Sequence, residues 1–233
     1  MGMEDLQRPQ PITFDGIATK YDFLNHFLSF GIDVGWRKKL IRRLANKKPS
    51  YILDVATGTA DLAIMAAKKI PCQIVGCDIA NKMLEIGKRK IEEHSLNEKI
   101  QLLEASAEDL PFADNTFDAI MVAFGVRNFR NLGQGLSEMH RVLKPDGHVF
   151  ILEFSIPENK FVRGVYLFYF RHILPFVGGW ISKNREAYTY LPQSVEQFPQ
   201  GKDFTEQLLK AGFQNNSFQA LTFGIATLYE AKK

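Results

Sequence analysis

Two acids and a short turn carry most of the chemical information in this chain. Asp78 ends the run Ile74-Val75-Gly76-Cys77-Asp78, about 20 residues beyond Gly58. Gly58 itself belongs to the run Ile52-Leu53-Asp54-Val55-Ala56-Thr57-Gly58-Thr59-Ala60-Asp61-Leu62. At that separation the end of a second strand comes beside the turn after the first, and a carboxylate there accepts both hydroxyl protons of a ribose. The turn lacks the glycines that cradle phosphate, because Ala56 to Asp61 contain one glycine where G-x-G-x-x-G needs three. Asp61 would also repel a pyrophosphate.

These residues therefore suit an adenosine that carries positive charge and no phosphate. S-adenosylmethionine has that chemistry, with a ribose, a sulfonium and an ammonium. An ordinary strand-turn-helix in which Asp61 only favours the positive end of its helix would look the same in this stretch alone.

The elements that must position the turn follow a strand and helix alternation from Tyr51 onward, the pattern of a parallel sheet covered on both faces. Strands are predicted at 51–55, 73–78, 100–104, 117–123 and 147–154, with helices near 60–70, 80–94 and 131–143. Leu143-Lys144-Pro145-Asp146-Gly147 is predicted as a turn, since proline stops a helix and Asp-Gly chemistry reverses the chain. A helix near 202–211, capped by Gly212, and strands near 213–219 and 222–230 close the chain.

Two segments lie outside this alternation. Upstream, Asp15 to Phe30 has a helical period, and Val34 to Ala45 places Trp36, Leu40, Ile41 and Leu44 on one side, with Arg37, Lys38, Lys39, Arg42 and Arg43 around the rest. Such a helix either lies on an anionic membrane surface or packs on the domain with a solvated charged face. Downstream, Phe161 to Trp180 is rich in aromatics, interrupted by Arg163, Arg171 and His172 and ended by Gly178-Gly179. It suits a lid, an interfacial segment or a buried extra helix, and is too broken by charge to span a bilayer.

At 233 residues, with 29 basic and 26 acidic side chains giving a net charge of +3, the chain fits one α/β domain and carries too weak a bias for bulk nucleic-acid binding. Cys72 and Cys77 form neither a disulfide framework nor a C-x-x-C metal pair, so a reducing compartment and no metal are expected. No signal-peptide core and no run of 18 apolar residues is present. The expected location is the cytoplasm, with peripheral contact at the inner face of the membrane left open, as is a homodimer. His140 and His148 are taken as structural, His148 starting a strand at the far edge of the sheet.

Six separated motifs, in order, give the chain a resemblance to a family. Phe14-Asp15-Gly16-Ile17-Ala18, Tyr21-Asp22, Asn25, Ser29-Phe30-Gly31 and Trp36-Arg37 resemble the N-terminal signature of the menaquinone and ubiquinone biosynthesis C-methyltransferases. Asp54 to Thr59 with Asp61, Phe124-Gly125-Val126-Arg127-Asn128, Arg141 to Gly147, Leu152-Glu153-Phe154-Ser155, and Ala187-Tyr188-x-Tyr190-Leu191-Pro192-x-Ser194-Val195 are similar to its later motifs. The resemblance runs from about residue 13 to the C-terminus. It implies a class I S-adenosylmethionine-dependent methyltransferase fold, Rossmann-like, with a mostly parallel seven-stranded sheet and helices on both faces. Residues 1–48 would then form a helical cover over the acceptor site. Residues 49–233 would form the methyltransferase part, with an apolar lid inserted at about 158–190, all within one structural domain.

By the same resemblance Thr59 and Asp78 contact the cofactor and Ser106-Ala107 lie beside the adenine, with Asp109 and Leu110 continuing that loop; Asp61, by its charge, is expected to attract the cofactor's positive groups. Where the family often has a hydroxyl residue, this chain has Ala123. The implied acceptor is a polyprenyl naphthoquinol, demethylmenaquinol, methylated at a ring carbon. Arg127, at a strand end expected to be exposed, is the residue for the quinol oxygen. Asn128 orients it, Tyr21 lines the acceptor site, and Asp22 or His26 supplies proton-accepting capacity. A benzoquinol acceptor, dual specificity, an unrelated small acceptor or a catalytically silent scaffold are the alternatives. The missing glycine triplet argues against a nicotinamide dehydrogenase, and the lone basic cluster at 37–48 argues against nucleic-acid methylation.

Overall fold

The computed structural model describes residues 31–169 and 192–233. The readings that fall on Tyr21, Asp22 and His26, on the helix predicted over 15–30, and on 170–191 lie outside the described residues.

Seven strands form one sheet: β1 (Tyr51–Val55), β2 (Gln73–Asp78), β3 (Ile100–Glu104), β4 (Phe117–Ala123), β5 (Leu143–Phe154), β6 (Gln214–Leu221) and β7 (Ala226–Lys232). Their spatial order is β3-β2-β1-β4-β5-β7-β6. The first five run parallel, whereas β7 lies antiparallel to β5 and β6 antiparallel to β7. Order reverses between β1 and β4, the switch point beside which ligands bind in open α/β sheets.

Because strand side chains alternate between faces, β1 feeds two cores. Ile52, with Ile74, Met121 and Phe150, joins the face covered by helix α1 (Ile32–Ala45) and helix α2 (Asp61–Ala67). Leu53 and Val55, with Val75, Ile120 and Val122, join the face covered by helix α4 (Leu132–Val142) and helix α6 (Lys202–Lys210). Helix α3 (Asn81–Glu93) follows β2, and helix α5 (Lys160–Phe168) follows β5. Strands buried on both faces read as continuous apolar runs, which is why their limits were legible.

Helix α1 buries Trp36, Leu40, Ile41 and Leu44 in the first core. Trp36 Nε1 donates to Thr222 Oγ1 at 2.8 Å, and Lys47 and Arg43 pair with Glu230 of β7 at 2.8 and 3.7 Å. Part of its basic face is therefore tied to the sheet, while Lys38 and Arg42 remain exposed.

Three local expectations are corrected. The turn predicted at 143–147 is an irregularity within β5: Leu143 pairs with Phe117 and His148 with Ala119, leaving Pro145, which has no N–H, and Asp146, with φ 65°, between them. His148 lies inside the sheet, because β7 pairs with β5 beyond it. The last strand begins at Ala226 after a 3-10 turn over Thr222–Gly224.

Candidate active site

The turn after β1 takes the left-handed conformation at alternate residues, Ala56 (φ 53°), Gly58 (φ 57°) and Ala60 (φ 65°). These are the spacings a glycine-rich loop would fill, and two alanines hold them here at a cost of order 1–3 kcal/mol each. The turn is fixed by its hydrogen bonds to β2. Thr57 N–H donates to the Cys77 carbonyl at 3.0 Å, and Gly58 N–H donates to Asp78 Oδ2 at 2.8 Å. The other carboxylate oxygen, Oδ1, accepts from Ala80 N–H at 2.9 Å, and the Asp78 carbonyl accepts from Ala105 N–H at 3.1 Å. A carboxylate oxygen has two lone pairs, so bonds of this kind do not by themselves exclude a ligand hydroxyl.

Above these strand ends opens a cleft with about 1070 Å³ of atom-free space, including its mouth. Thr59, Asp61, Asp78, Ser106 and Ala107 all line it. Asn128 also lines it, as do Ala123, Phe124 and Gly125 at the end of β4. A Cβ on Gly125 would lie 2.5 Å from that of Ala56, so the turns after β1 and β4 meet here only because position 125 has no side chain. Ala123 brings no hydroxyl to this wall.

Lys90, from α3, donates to Thr59 Oγ1 at 3.0 Å and to Asp61 Oδ1 at 2.8 Å, holding both side chains on the cleft wall. On the opposite wall Glu108 is the fastening. Its carboxylate accepts from Ser106 Oγ, from Arg130 N–H at 2.7 Å and from Asn131 N–H at 3.2 Å. Its carbonyl accepts from Gln134 Nε2 at 2.9 Å. The loop after β3 is thereby clamped to the start of α4.

Asp54 lies beneath the turn and is 1% exposed, accepting from Thr57 Oγ1 at 2.6 Å. Burial raises its carboxyl from 3.8 to about 7, against the lowering effects of the Thr57 hydrogen bond and Arg37, and with Asp78 adding to the rise. Arg37 also lines the cleft, its guanidinium carbon 5.4 Å from the Phe124 ring centroid.

Arg127 sits at the strand end as expected, in the 3-10 turn Val126–Asn128. The expectation that it is exposed is corrected. The residue is 8% exposed, its Nη1 lies 2.7 Å from Glu153 Oε1 and 2.5 Å from the Phe124 carbonyl, and it is not among the cleft-lining residues. Glu153 also accepts from the N–H groups of Arg127 and Phe154, so the pair fixes the ends of β4 and β5 together. Its guanidinium carbon is 5.5 Å from the Phe154 ring centroid, and Phe154 stacks on Phe124 at 4.4 Å. Burial pushes the phenol of Tyr166, in α5, upward, with Arg127 and Glu153 the charged groups it feels.

Sequence reasoning therefore gathered residues that line one cleft and left Arg37, Glu108 and Glu153 without roles. A signal existed for Glu153, an acid set within the apolar run Val149-Phe150-Ile151-Leu152. Arg37 stood beside Trp36 in a quoted motif but was counted only as surface charge.

The sequence model of the ubiE/COQ5 methyltransferase family matches residues 6–233. A demethylmenaquinone methyltransferase of Bacteroides fragilis is 47% identical over 221 residues, covering 94% of this chain and 90% of that protein. A ubiquinone/menaquinone biosynthesis C-methyltransferase of Geotalea daltonii is 46% identical, covering 94% of each. Among solved structures, a SAM-dependent methyltransferase of Thermotoga maritima superposes with TM-score 0.68 at 14% identity, covering 97% of this chain and 100% of that one. Phosphoethanolamine N-methyltransferase 2 of Haemonchus contortus gives 0.69 at 14% identity, covering 97% of this chain and 60% of that one. At such identities the likeness is one of fold.

The raised Asp54 carboxyl has a consequence for stability. Since the folded value (about 7) exceeds the ordinary 3.8, this group's stabilising contribution is full below about pH 3.8 and is lost as pH rises through about 7. The ionised carboxylate then costs the folded state on the order of 4 kcal/mol near pH 8. Asp54→Asn should raise the Tm at about pH 8 and flatten the Tm profile across that window. A profile parallel to that of the parent would show that Asp54 does not titrate there.

Proposed function

We propose, from the premise that this chain belongs to the ubiE/COQ5 methyltransferase family, that it methylates a ring carbon of a polyprenyl naphthoquinol, converting demethylmenaquinol to menaquinol. The chain is an S-adenosylmethionine-dependent C-methyltransferase. The observation that carries the substrate is that relatives from Bacteroides fragilis and Chlorobaculum parvum, 47% and 46% identical, are named demethylmenaquinone methyltransferases. The Geotalea daltonii relative's name, which includes ubiquinone, favours a benzoquinol acceptor as the second reading.

The residues present fit the cofactor. Asp78 offers acceptor lone pairs to a ribose, Asp61 attracts a cation, and the left-handed turn at Ala56, Gly58 and Ala60 has methyl groups where a phosphate would need open backbone. When bound, S-adenosylmethionine supplies an electrophilic methyl group on a sulfonium. The chain's task is to hold the acceptor ring in line with that methyl and to favour loss of a phenolic proton from the quinol, which makes the ring carbon nucleophilic. Orientation of this kind is worth on the order of 7 to 11 kcal/mol in model reactions.

Phe124, Gly125 and Asn128 form the wall nearest the end of β4, and the buried Arg127 stands behind them. Arginine does not give up its proton in the working range, so Arg127 acts by its field on a developing phenolate and by holding Asn128 in place. Glu153 fixes the guanidinium and offsets part of its charge. Tyr21 completes the acceptor side in this proposal.

The acceptor's tail also needs a way out of the bilayer. No helix among the described residues is long and apolar enough to cross a membrane. Phe161, Val165 and Phe168, 81%, 58% and 59% exposed, share one face of α5, with Arg163 on the same helix. We assign this face a transient contact with the inner leaflet. Replacing the three with serine should abolish co-flotation with anionic vesicles while sparing S-adenosylmethionine binding; undiminished flotation would remove the assignment.

Turnover with reduced demethylmenaquinone and with the matching benzoquinol, each with equal tails, tests the substrate. The naphthoquinol should have the higher kcat/KM, and benzoquinol preference would transfer the assignment to the second reading. In the same assay Arg127→Lys should lower kcat at least tenfold without changing calorimetric cofactor affinity. Lysine is used because removing the charge would leave Glu153 buried and uncompensated, costing about 3–5 kcal/mol. Unchanged kcat would sink the role of Arg127.

A further inference from the structure

We propose that Arg37 binds the carboxylate of the cofactor's amino-acid moiety, with Asp61 receiving its ammonium, so that this end of the cleft is built for a zwitterion. The proposal rests on the cleft being an S-adenosylmethionine site. Sheet order gives the direction. With adenine at Ser106 and Ala107 beyond β3 and ribose at Asp78 on β2, the rest of the molecule extends across β1 toward β4. Arg37 stands at that end, reaching from α1 over the Phe124 ring.

An isolated carboxylate would be repelled there, because Asp54, Asp61 and Asp78 converge on the same turn. It needs a fixed cation. Among the described residues two bases line the cleft, Arg37 and Arg130. Arg130 is exposed and its backbone is held by Glu108 on the adenine side, which leaves Arg37.

Its setting is that of a prepared anion site. The side chain is 10% exposed, so an ion pair there is weakly screened. Its Nε lies 3.4 Å from Asp33 Oδ2, one helical turn earlier, a long contact that orients the planar group without saturating it. Both Nη groups make no hydrogen bond among the described residues, and a guanidinium fork matches a carboxylate with two parallel bonds. Lys90 holds Asp61, a lining residue, at 2.8 Å, fixing the carboxylate that receives the ammonium.

Calorimetry with S-adenosylmethionine and decarboxylated S-adenosylmethionine, which differ only in the carboxylate, tests this. The parent should bind the intact cofactor on the order of 10- to 100-fold more tightly, the range for hydrogen bonds to charged groups. In Arg37→Gln that ratio should collapse toward one through weaker binding of the intact cofactor alone, and Arg37→Lys should lie between. Because the ratio is taken on one protein, loss of folded material cancels. A parent that binds both ligands equally, or an Arg37→Gln protein that keeps the parent's ratio, overturns the proposal. A parent that binds neither ligand overturns the cofactor assignment beneath it.

Discussion

One residue, Asp78, ties together the ends of three adjacent parallel strands through its carboxylate and its main-chain carbonyl, and the site depends on that constraint. Its side chain accepts from the turn after β1 at Gly58 and from its own turn at Ala80, and its carbonyl accepts from the loop after β3 at Ala105. The two carboxylate bonds are charge-assisted and roughly twice as strong as neutral ones, and together with the neutral main-chain bond to Ala105 they set the height at which three loops meet. The cleft wall is thus an extension of sheet register rather than a separate structure.

The same geometry creates an electrostatic problem. Asp54, Asp61 and Asp78 crowd one turn, and Asp54 is lifted to about 7 by burial in that setting. Lys90 at Asp61 and Arg37 at the far end answer it in part, each beside the cleft rather than across its middle. What remains between them suits a ligand whose own charge is positive near its centre. On the other side of the β4 turn, Arg127 and Glu153 join β4 to β5 as a buried pair, their charges facing each other rather than water.

The strands were legible because buried parallel strands leave largely apolar runs: β1, β2 and β4 have the limits read from sequence. The place of Asp78 beside the Gly58 turn was legible because strand length and turn length fix its distance from Gly58. What could not be read is tertiary. Ala56 and Ala60 hide a glycine-like backbone, since nothing in an alanine announces a positive φ. Arg127 looked exposed because strand ends usually are, and only the pairing of β4 with β5 brings Glu153 to it. Arg37 looked like one of five surface charges on a basic helix, and its place over Phe124 follows from how Trp36 and Leu40 seat that helix on the sheet.

The central claim is that this acid-lined turn selects an adenosine without phosphate. Competition calorimetry with S-adenosylhomocysteine already bound, titrated with ADP-ribose, tests it most directly, since the competitor keeps the adenosine and adds a pyrophosphate. The account predicts no displacement at millimolar ADP-ribose. Displacement with an affinity matching that of S-adenosylhomocysteine would contradict it.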